Sequence, residues 1–315
     1  MSATPHTAVV LMAYGTPRTR DDILPYYTDI RRGRPPTDEQ LAELVARYEA
    51  IAPPGSDLLS PLAARTDAQR DALQAALDAI EPGGYHVVLG LKHAAPMIEQ
   101  AVADVVAAGF RRIVGLVLAP HWSAFSIGQY LDRVRAAAPD GVEVVGIDSW
   151  AVEPAFVEFL AAEVRRQTAE LPDDTKVLFT AHSLPQRIVA AGDPYPQQLR
   201  STAEAVAAAA GLSPWNGWAL AWQSAGRTPE PWLGPDILQV IDELADSEND
   251  AGHERGILVC ACGFVADHLE VLYDLDIEAR HRAEQRGLRF ARTACVNDDP
   301  TVIAALARRV ADAVA

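Results

Sequence analysis

The sequence predicts an α/β protein built from two doubly wound halves, in which helices cover both faces of parallel sheets. Three observations lead to this fold class. Short runs rich in β-branched and aromatic residues alternate with longer segments of helical periodicity. At 315 residues, the chain is long enough for one large or two medium domains. Its hydrophobic content of 49% is typical of a protein with a packed core.

Eight segments have the composition of strands, and helical patterns separate most of them. The strand candidates are residues 8–14, 85–91, 112–118, 142–147, 176–181, 218–222, 256–260 and 288–291. The clearest helical patterns are residues 61–80, 96–108, 153–170 and 300–314. We place the boundary between the halves near residues 148–152, which predicts domains at 1–150 and 151–315.

The carboxyl ends of the predicted strands are where a ligand site is expected, because open parallel sheets bind ligands there. This rule singles out residues 14–17, 93, 120–125, 182–185 and 263–270. The sequence has no glycine-rich nucleotide loop after a strand, no nucleophile elbow and no zinc-protease motif. The sequence therefore contains no motif typical of nucleotide-binding enzymes, α/β-hydrolases or zinc proteases.

The charge balance argues against general nucleic-acid binding, which needs a basic surface. Lys and Arg number 27 against 43 Asp and Glu, a net charge of −16. The N-terminal residues read MSATPHTAVVLMAYG, so we expect neither a signal peptide nor an integral membrane segment. Three cysteines fit a reducing cytoplasm, and they are too few for an all-cysteine iron–sulfur cluster within one subunit. We expect a cytoplasmic protein without such a cluster.

The most informative segment is residues 267–278, which read DHLEVLYDLDIE. In a helix, Glu270, Asp274 and Glu278 would share one face, and like charges at this spacing repel each other. A solvated surface helix usually intersperses basic residues, and the next one here is Arg280. This acidic row of Glu270, Asp274 and Glu278 therefore either binds or transfers cations or protons, or it is simply a solvated acidic face of the helix.

An island of arginines stands out in this acidic chain, and it comprises Arg18, Arg20, Arg31, Arg32 and Arg34. The planar guanidinium pairs with carboxylates or phosphates through two hydrogen bonds. The island is either a dock for an anionic ligand or a helix end with ion pairs to nearby aspartates, and both can hold together.

His182 follows the apolar run KVLFTA and precedes Ser-Leu-Pro, which places it at the carboxyl end of a strand. A lone histidine is more often structural, but an imidazole facing Glu270 would suit a divalent metal or a proton-transfer pair. The loop at residues 226–236 is rich in Pro and Gly and carries Trp232, which either lines a flat ligand or packs inward. We favour inward packing of Trp232.

Several motifs together resemble the ferrochelatase family, from about residue 9 to the C-terminus. They are MAYGTP at 12–17, YYTDIRRGR at 26–34, AHSLP at 181–185, GDPYPQQL at 192–199, QSAGRTPEPWLGPD at 223–236 and GFVADHLEVLYDLDIE at 263–278. The resemblance implies two Rossmann-like doubly wound halves, each with a four-stranded parallel sheet flanked by helices, and a porphyrin cleft between them. It also implies that the chain is a lyase that inserts Fe(II) into a porphyrin.

Site residues follow from the same resemblance. The catalytic and metal-binding pair is His182 and Glu270, and the acidic row continues onto Asp274 and Glu278. His93 matches another cleft histidine. The residues expected to bind the porphyrin and its propionates are Tyr14, Arg31, Arg47, Tyr48, Ser60 and Tyr130.

The motif MAYGTP resembles the Gram-positive and actinobacterial branch, which uses coproporphyrin III, rather than the protoporphyrin branch. Tyr14 would then approach the metal of the product from the face opposite His182. The implied partners are the substrates coproporphyrin III and Fe(II), with transient contacts to neighbouring haem-pathway enzymes. No cofactor is expected beyond Fe(II), and we expect a monomer.

Two departures from the family pattern concern the site. The stretch after Tyr48 reads IAPPGSDLLSPL, with a longer connection at residues 52–59 that bears on Ser60. The chain also lacks the extra C-terminal cysteines that carry a cluster in some relatives. Four alternatives to a coproporphyrin ferrochelatase are a protoporphyrin ferrochelatase, a chelatase for another tetrapyrrole or metal, a porphyrin or haem carrier without catalysis, and an unrelated two-domain α/β protein that binds an anionic ligand.

Overall fold

The computed structural model describes residues 6–53, 59–215, 217–226, 228–247 and 254–315. Residues 54–58 of the longer connection and Arg227 of the Pro/Gly-rich loop lie outside the described residues. The chain forms two compact units. The first comprises Met1–Trp150, Ala266–Leu269 and Asn297–Ala315, and the second comprises Ala151–Val265 and Glu270–Val296.

The first unit contains a parallel four-stranded sheet. Its strands are β1 (Thr7–Ala13), β2 (Tyr85–Leu91), β3 (Arg112–Val117) and β4 (Glu143–Ile147), in the spatial order β2-β1-β3-β4. Every residue of β1 is buried, as expected of a central strand covered on both faces. The helices in this part of the chain are α1 (Ile23–Ile30), α2 (Asp38–Ile51), α3 (Leu62–Ile80), α4 (Ile98–Ala107) and α5 (Ile127–Ala137), of which α3, α4 and α5 pack against the sheet.

The second unit repeats this sheet arrangement. Its strands are β5 (Asp174–His182), β6 (Trp218–Gln223), β7 (Arg255–Cys260) and β8 (Arg289–Arg292), in the parallel order β6-β5-β7-β8. The strand β5 is thus central, as β1 is in the first unit. The helices in this part of the chain are α6 (Pro154–Thr168), α7 (Arg187–Ala190), α8 (Tyr195–Ala210), α9 (Ile237–Asp246), α10 (Leu269–Leu272) and α11 (Arg280–Gln285).

The final helix, α12 (Pro300–Asp312), packs on α3 within the first unit. Pro300 is its first residue, and the Asp299 carboxylate accepts hydrogen bonds from the backbone N–H groups of Thr301 and Val302, each at 3.0 Å. Residues 297–315 therefore pack with the first unit, although the predicted division assigned them to 151–315. The apolar face of α12, which includes the buried Val302 and Leu306, accounts for this difference because it needs a helical surface to cover it.

The predicted fold class is confirmed. All eight predicted strands are present in the described part of the chain, with ends that shift by two residues or fewer. The four predicted helices are α3, α4, α6 and α12. None of the helices in the described residues is both long and apolar enough to cross a membrane.

Candidate active site

His182 is the last residue of β5, at the carboxyl edge of the second sheet. The β5 strand lies between β6 and β7, where the strand order reverses, which is the usual ligand position in this kind of sheet. The imidazole Nδ1–H donates a hydrogen bond to the carbonyl oxygen of Ser183. The hydroxyl of the buried Tyr195 donates to the carbonyl oxygen of His182 at 3.0 Å. Backbone and ring of His182 are therefore both anchored, and Nε2 is left to face the site.

Glu270 lies in α10 and faces this nitrogen. His182 Nε2 and Glu270 Oε1 are 3.5 Å apart, and both side chains are 34% exposed. Gln223, at the end of β6, donates a hydrogen bond from Nε2 to the backbone carbonyl of Glu270 at 2.6 Å. A half-buried imidazole–carboxylate pair of this kind can share a proton or offer two ligands to a divalent metal.

The pKa of His182 is raised above its usual value of 6.5. Burial by itself lowers this pKa, because it disfavours the charged imidazolium. The negative charge of Glu270 and the hydrogen bond to it outweigh burial, with help from the Ser183 carbonyl and the charge of Asp274. His182 is therefore tuned to hold a proton more tightly than a free histidine does.

The acidic row continues from Glu270 along the chain. Asp274 is buried at 7% exposure, and its carboxylate accepts a hydrogen bond from the Ser224 hydroxyl. Glu278 is exposed. The row thus runs from a half-buried carboxylate at His182, through a buried one, to one in solvent.

The backbone under the row is not the single α-helix that the sequence pattern assumed. α10 ends at Leu272, and Asp274–Ala279 form a π-helical turn in which the Glu278 N–H donates to the Tyr273 carbonyl at 2.9 Å. Leu275 and Ala279 are fully buried on this turn. Such turns carry one extra residue and are frequent at functional sites.

The π-helical turn is fixed to the sheet by an ion pair. Arg292, at the end of β8, binds both carboxylate oxygens of Asp276 through Nε and Nη2 at 2.8 Å each. The Arg292 side chain is only 11% exposed. A two-point contact of this kind restrains orientation as well as distance.

In the first unit, Tyr14 immediately follows β1 and is 43% exposed. Its ring lies 4.6 Å, centroid to centroid, from the ring of His93. Nδ1 of His93 is 2.6 Å from Oδ2 of Asp29. Burial lowers the pKa of His93, and the hydrogen bond to Asp29 opposes that effect only in part. Tyr14 and His93 therefore form one aromatic surface at the carboxyl ends of β1 and β2.

Lys92 joins this cluster, although the sequence did not single it out. Its ammonium lies 5.0 Å from the Tyr130 ring and 6.0 Å from the Tyr14 ring, and it donates to Gln129 Oε1 at 2.8 Å. Burial lowers the pKa of Lys92 to about 8, with smaller contributions from the charges of Arg133 and Arg32. The signal that could have found it is its place beside His93 just after β2.

The remaining residues predicted to bind porphyrin lie elsewhere in the first unit. Arg31 stacks over the Tyr27 ring at 5.6 Å and donates from Nε to the carbonyl of Arg34 at 3.2 Å. Tyr48 is 2% exposed, with its hydroxyl 3.5 Å from Thr16 Oγ1. Ser60 is 2% exposed and accepts a hydrogen bond from the N–H of Leu62 at the start of α3. Arg47 is half-buried on α2.

The three cysteines and Trp232 pack against other parts of the protein. Cys260, Cys262 and Cys295 are buried in the core, and burial raises the pKa of Cys260 to about 12. Trp232 is half-buried and donates from Nε1 to Thr228 Oγ1 at 3.0 Å. Its ring approaches Gly226 so closely that a Cβ there would lie 2.4 Å from it. Among the described residues, no group of three or more His, Cys, Asp and Glu has metal-holding geometry.

Comparison with known proteins adds relatives that match almost the whole chain. The coproporphyrin III ferrochelatase of Geobacillus kaustophilus is 44% identical over 309 residues, covering 95% of this chain and 93% of the relative. The ferrochelatase of Herpetosiphon aurantiacus is 42% identical over 304 residues, covering 94% and 95%. The coproporphyrin III ferrochelatase of Halalkalibacterium halodurans is 43% identical over 307 residues, covering 95% and 94%.

Solved structures support the same fold at low identity. SirB from Bacillus subtilis with Fe3+ superposes with a TM-score of 0.57 at 15% identity, covering 98% of this chain and 96% of that one. CbiX, the terminal enzyme of sirohaem biosynthesis in denitrifying bacteria, gives a TM-score of 0.52 at 13% identity, covering 98% and 100%. The ferrochelatase family profile matches residues 6–314. The sequence match and the shared fold agree, and the chain belongs to the ferrochelatase family.

Proposed function

We propose that this protein inserts Fe(II) into coproporphyrin III to give coprohaem in haem biosynthesis. The observation that carries the proposal is the pairing of His182 with Glu270 at the switch point of the second sheet, with Asp274 close behind. Support for coproporphyrin III comes from the relatives that bear that name and from MAYGTP at residues 12–17.

Insertion replaces two pyrrole N–H protons of the free porphyrin with one Fe(II) ion, so two protons must leave. In His182, Nδ1–H is committed to the Ser183 carbonyl, which leaves the Nε2 lone pair as an acceptor. His182 accepts a pyrrole proton at Nε2 or hands over the iron, and Glu270 balances the positive charge beside it. A macrocycle held in a distorted form would expose its nitrogen lone pairs and lower the barrier.

The acidic row serves ion movement in this proposal. Asp274 and Glu278 continue from Glu270 towards solvent, with Asp274 buried and Glu278 exposed. Carboxylates so arranged pass protons outward or a hydrated cation inward by short steps. Such a path accounts for three like charges along one short stretch, which would otherwise repel each other without gain.

The first unit supplies porphyrin contacts in the same proposal. Arg31 and Arg47 bind propionates and orient the macrocycle. Tyr48, Ser60 and Tyr130 complete the binding set, and Tyr14 acts on the metal of the product. Coproporphyrin III has four propionates, so it suits the arginine island of this chain better than protoporphyrin does.

The wider setting is part of the proposal as well. The enzyme works in the cytoplasm as a monomer, with no cofactor beyond its Fe(II) substrate. Neighbouring haem-pathway enzymes supply coproporphyrin III and decarboxylate coprohaem, and they meet this protein transiently.

An anaerobic insertion assay tests the proposal. Purified protein is mixed with Fe(II) and either coproporphyrin III or protoporphyrin IX, and the loss of porphyrin fluorescence is followed with the rise of the haem band. Rapid insertion into coproporphyrin III alone is expected. A preference for protoporphyrin would keep the chelatase but overturn the substrate, and tight binding without insertion would indicate a carrier.

A further inference from the structure

Gln223 holds Glu270, and the functional roles proposed above do not include it. It is the last residue of β6 and pairs with His182 in the register of the parallel β5–β6 ladder. Paired residues of adjacent parallel strands project from the same face of the sheet. The Gln223 side chain is therefore on the same face as the imidazole of His182.

The Gln223 amide binds the main chain of the helix that carries Glu270. Nε2 donates to the Glu270 carbonyl at 2.6 Å, and the residue is 1% exposed. Because a carbonyl can only accept, this contact fixes which end of the amide faces α10. The end of β6 thus lies beside His182 in the sheet and, through this hydrogen bond, holds the main chain at Glu270.

Two unfavourable features fall on consecutive residues here. Among the described atoms, Gln223 Oε1 is buried without a hydrogen-bond partner, and Ser224 has a φ of 58°. Each of the two residues also binds the acidic row, Gln223 at Glu270 and Ser224 at Asp274. An unpaired buried oxygen and a left-handed backbone conformation are both energetically unfavourable. Such features are typical of functional sites, where the surrounding structure imposes the geometry.

We propose that Gln223 is a positioning residue for Glu270, and that it sets the separation between the Glu270 carboxylate and the His182 imidazole. The inference rests on the proposed insertion of Fe(II). Gln223 does not touch iron or porphyrin in this role; it acts through Glu270 alone. Outer partners of this kind typically affect activity or metal affinity by about 10–100-fold when removed.

Gln223→Met keeps the length of the side chain and removes the donor. We expect the single-turnover rate of Fe(II) insertion to fall about tenfold, with the Kd for coproporphyrin III unchanged. Gln223→Glu keeps the shape but sets an oxygen against the Glu270 carbonyl, and the same fall is expected. If the Gln223→Met variant folds poorly, the Gln223→Glu variant still tests the proposal.

A double-mutant cycle with Glu270→Ala separates positioning from a structural role. If Gln223 acts through the Glu270 carboxylate, adding Gln223→Met to Glu270→Ala lowers the residual rate no further. The matched control is Gln74→Met, because Gln74 also donates from a part-buried amide to a backbone carbonyl, that of Tyr85 at 3.2 Å. Its insertion rate should equal that of wild type.

The outcomes are distinct. A wild-type protein that inserts no iron overturns the proposed function. An active wild type whose Gln223 variants insert at the wild-type rate overturns the positioning role, as does an equal loss in the presence and absence of the Glu270 carboxylate. A loss confined to proteins that retain Glu270 supports it.

Discussion

The imidazole of His182 and the carboxylate of Glu270 lie 3.5 Å apart, and hydrogen bonds from outside the pair anchor each partner. Ser183 and Tyr195 fix the histidine, and Gln223 fixes the backbone of the glutamate. Contacts outside the pair therefore help to hold the two groups at this separation. The pair is consequently available to an incoming cation or proton without having to be assembled first.

His182→Ala tests the assigned acceptor. Removing a positioned acid–base group typically costs about 10²–10⁴-fold in rate, so we expect a loss in that range in the single-turnover insertion assay. His281→Ala is the control, since His281 is exposed on α11. A His182→Ala protein with near-native turnover would remove this residue from the mechanism.

The raised pKa of His182 predicts a pH dependence with a definite sign. Because the folded pKa lies above 6.5, the ion pair with Glu270 stabilises the fold below that pH, and this contribution is lost as pH rises through the raised pKa. Insertion needs the neutral imidazole, so kcat/KM should fall as pH drops through the same pKa. In Glu270→Ala burial is no longer opposed by the main favourable charge, and the acid limb should move to lower pH. If the acid limb of the kcat/KM profile does not move in this variant, the limb does not report the titration of His182.

Lys92 should titrate near pH 8, because burial disfavours its ammonium. The chain has only one other lysine, Lys176. Reductive methylation with carbon-13 therefore gives a spectrum simple enough to follow each lysine by NMR, and Lys176→Arg identifies the Lys92 signal. A Lys92 midpoint at its usual value of 10.5 would show that the ammonium is well solvated.

Gly263→Ala should destabilise the protein through the strand that carries His182. A Cβ at Gly263 would lie 2.4 Å from Cβ of Ala181, the residue just before His182. Overpacking of this kind costs about 1–3 kcal/mol, measured as the free energy of unfolding. Gly128→Ala in α5 is the matched control, where the added Cβ meets only ordinary contacts at 3.4 Å. There we expect stabilisation of up to about 1 kcal/mol, from helix propensity.

Arg292→Met should destabilise the π-helical turn, because Asp276 would lose a two-point partner that is only 11% exposed. Breaking a buried pair costs about 3–5 kcal/mol, and the 27% exposure of Asp276 brings our expectation to about 2 kcal/mol. Arg166→Met is the comparison, since Arg166 is 58% exposed in its pair with Glu163. Thermal unfolding of both variants measures the difference, and equal midpoints would contradict the expectation.

Much of the fold was predictable because strand and helix periodicities differ along this chain. β1 is a short apolar run followed by Tyr14, and the apolar run of β5 ends in His182, so the sheet edge that carries the candidate site could be predicted from the sequence. The placement of α12 was not predictable, because an amphipathic pattern does not state which helix it will pack on. Its partner α3 is more than two hundred residues earlier in the sequence.

The titratable groups of the candidate site could be predicted from the sequence, but neighbouring features such as Lys92 and the π-helical turn could not. The motifs indicated His182, Glu270 and Asp274, whose proximity the structure shows. Lys92 escaped attention because a single lysine carries no pattern, and its lowered pKa arises from burial that only folding creates. The π-helical turn was not predicted either, because the four-residue spacing of Glu270, Asp274 and Glu278 fits an ordinary α-helix equally well.

The π-helical turn at Asp274–Ala279 sets the direction in which the far end of the acidic row faces. Over eight residues, an ordinary α-helix would turn a side chain about 80° away from the face on which it started. A π turn is an α-helix with one residue inserted, and the wider turn takes up about 100° of rotation. The Glu278 N–H closes such a turn on the Tyr273 carbonyl, so Glu278 returns to within about 20° of the face that carries Glu270. The wide turn therefore aligns the two ends of the row more closely than an α-helix of the same length would.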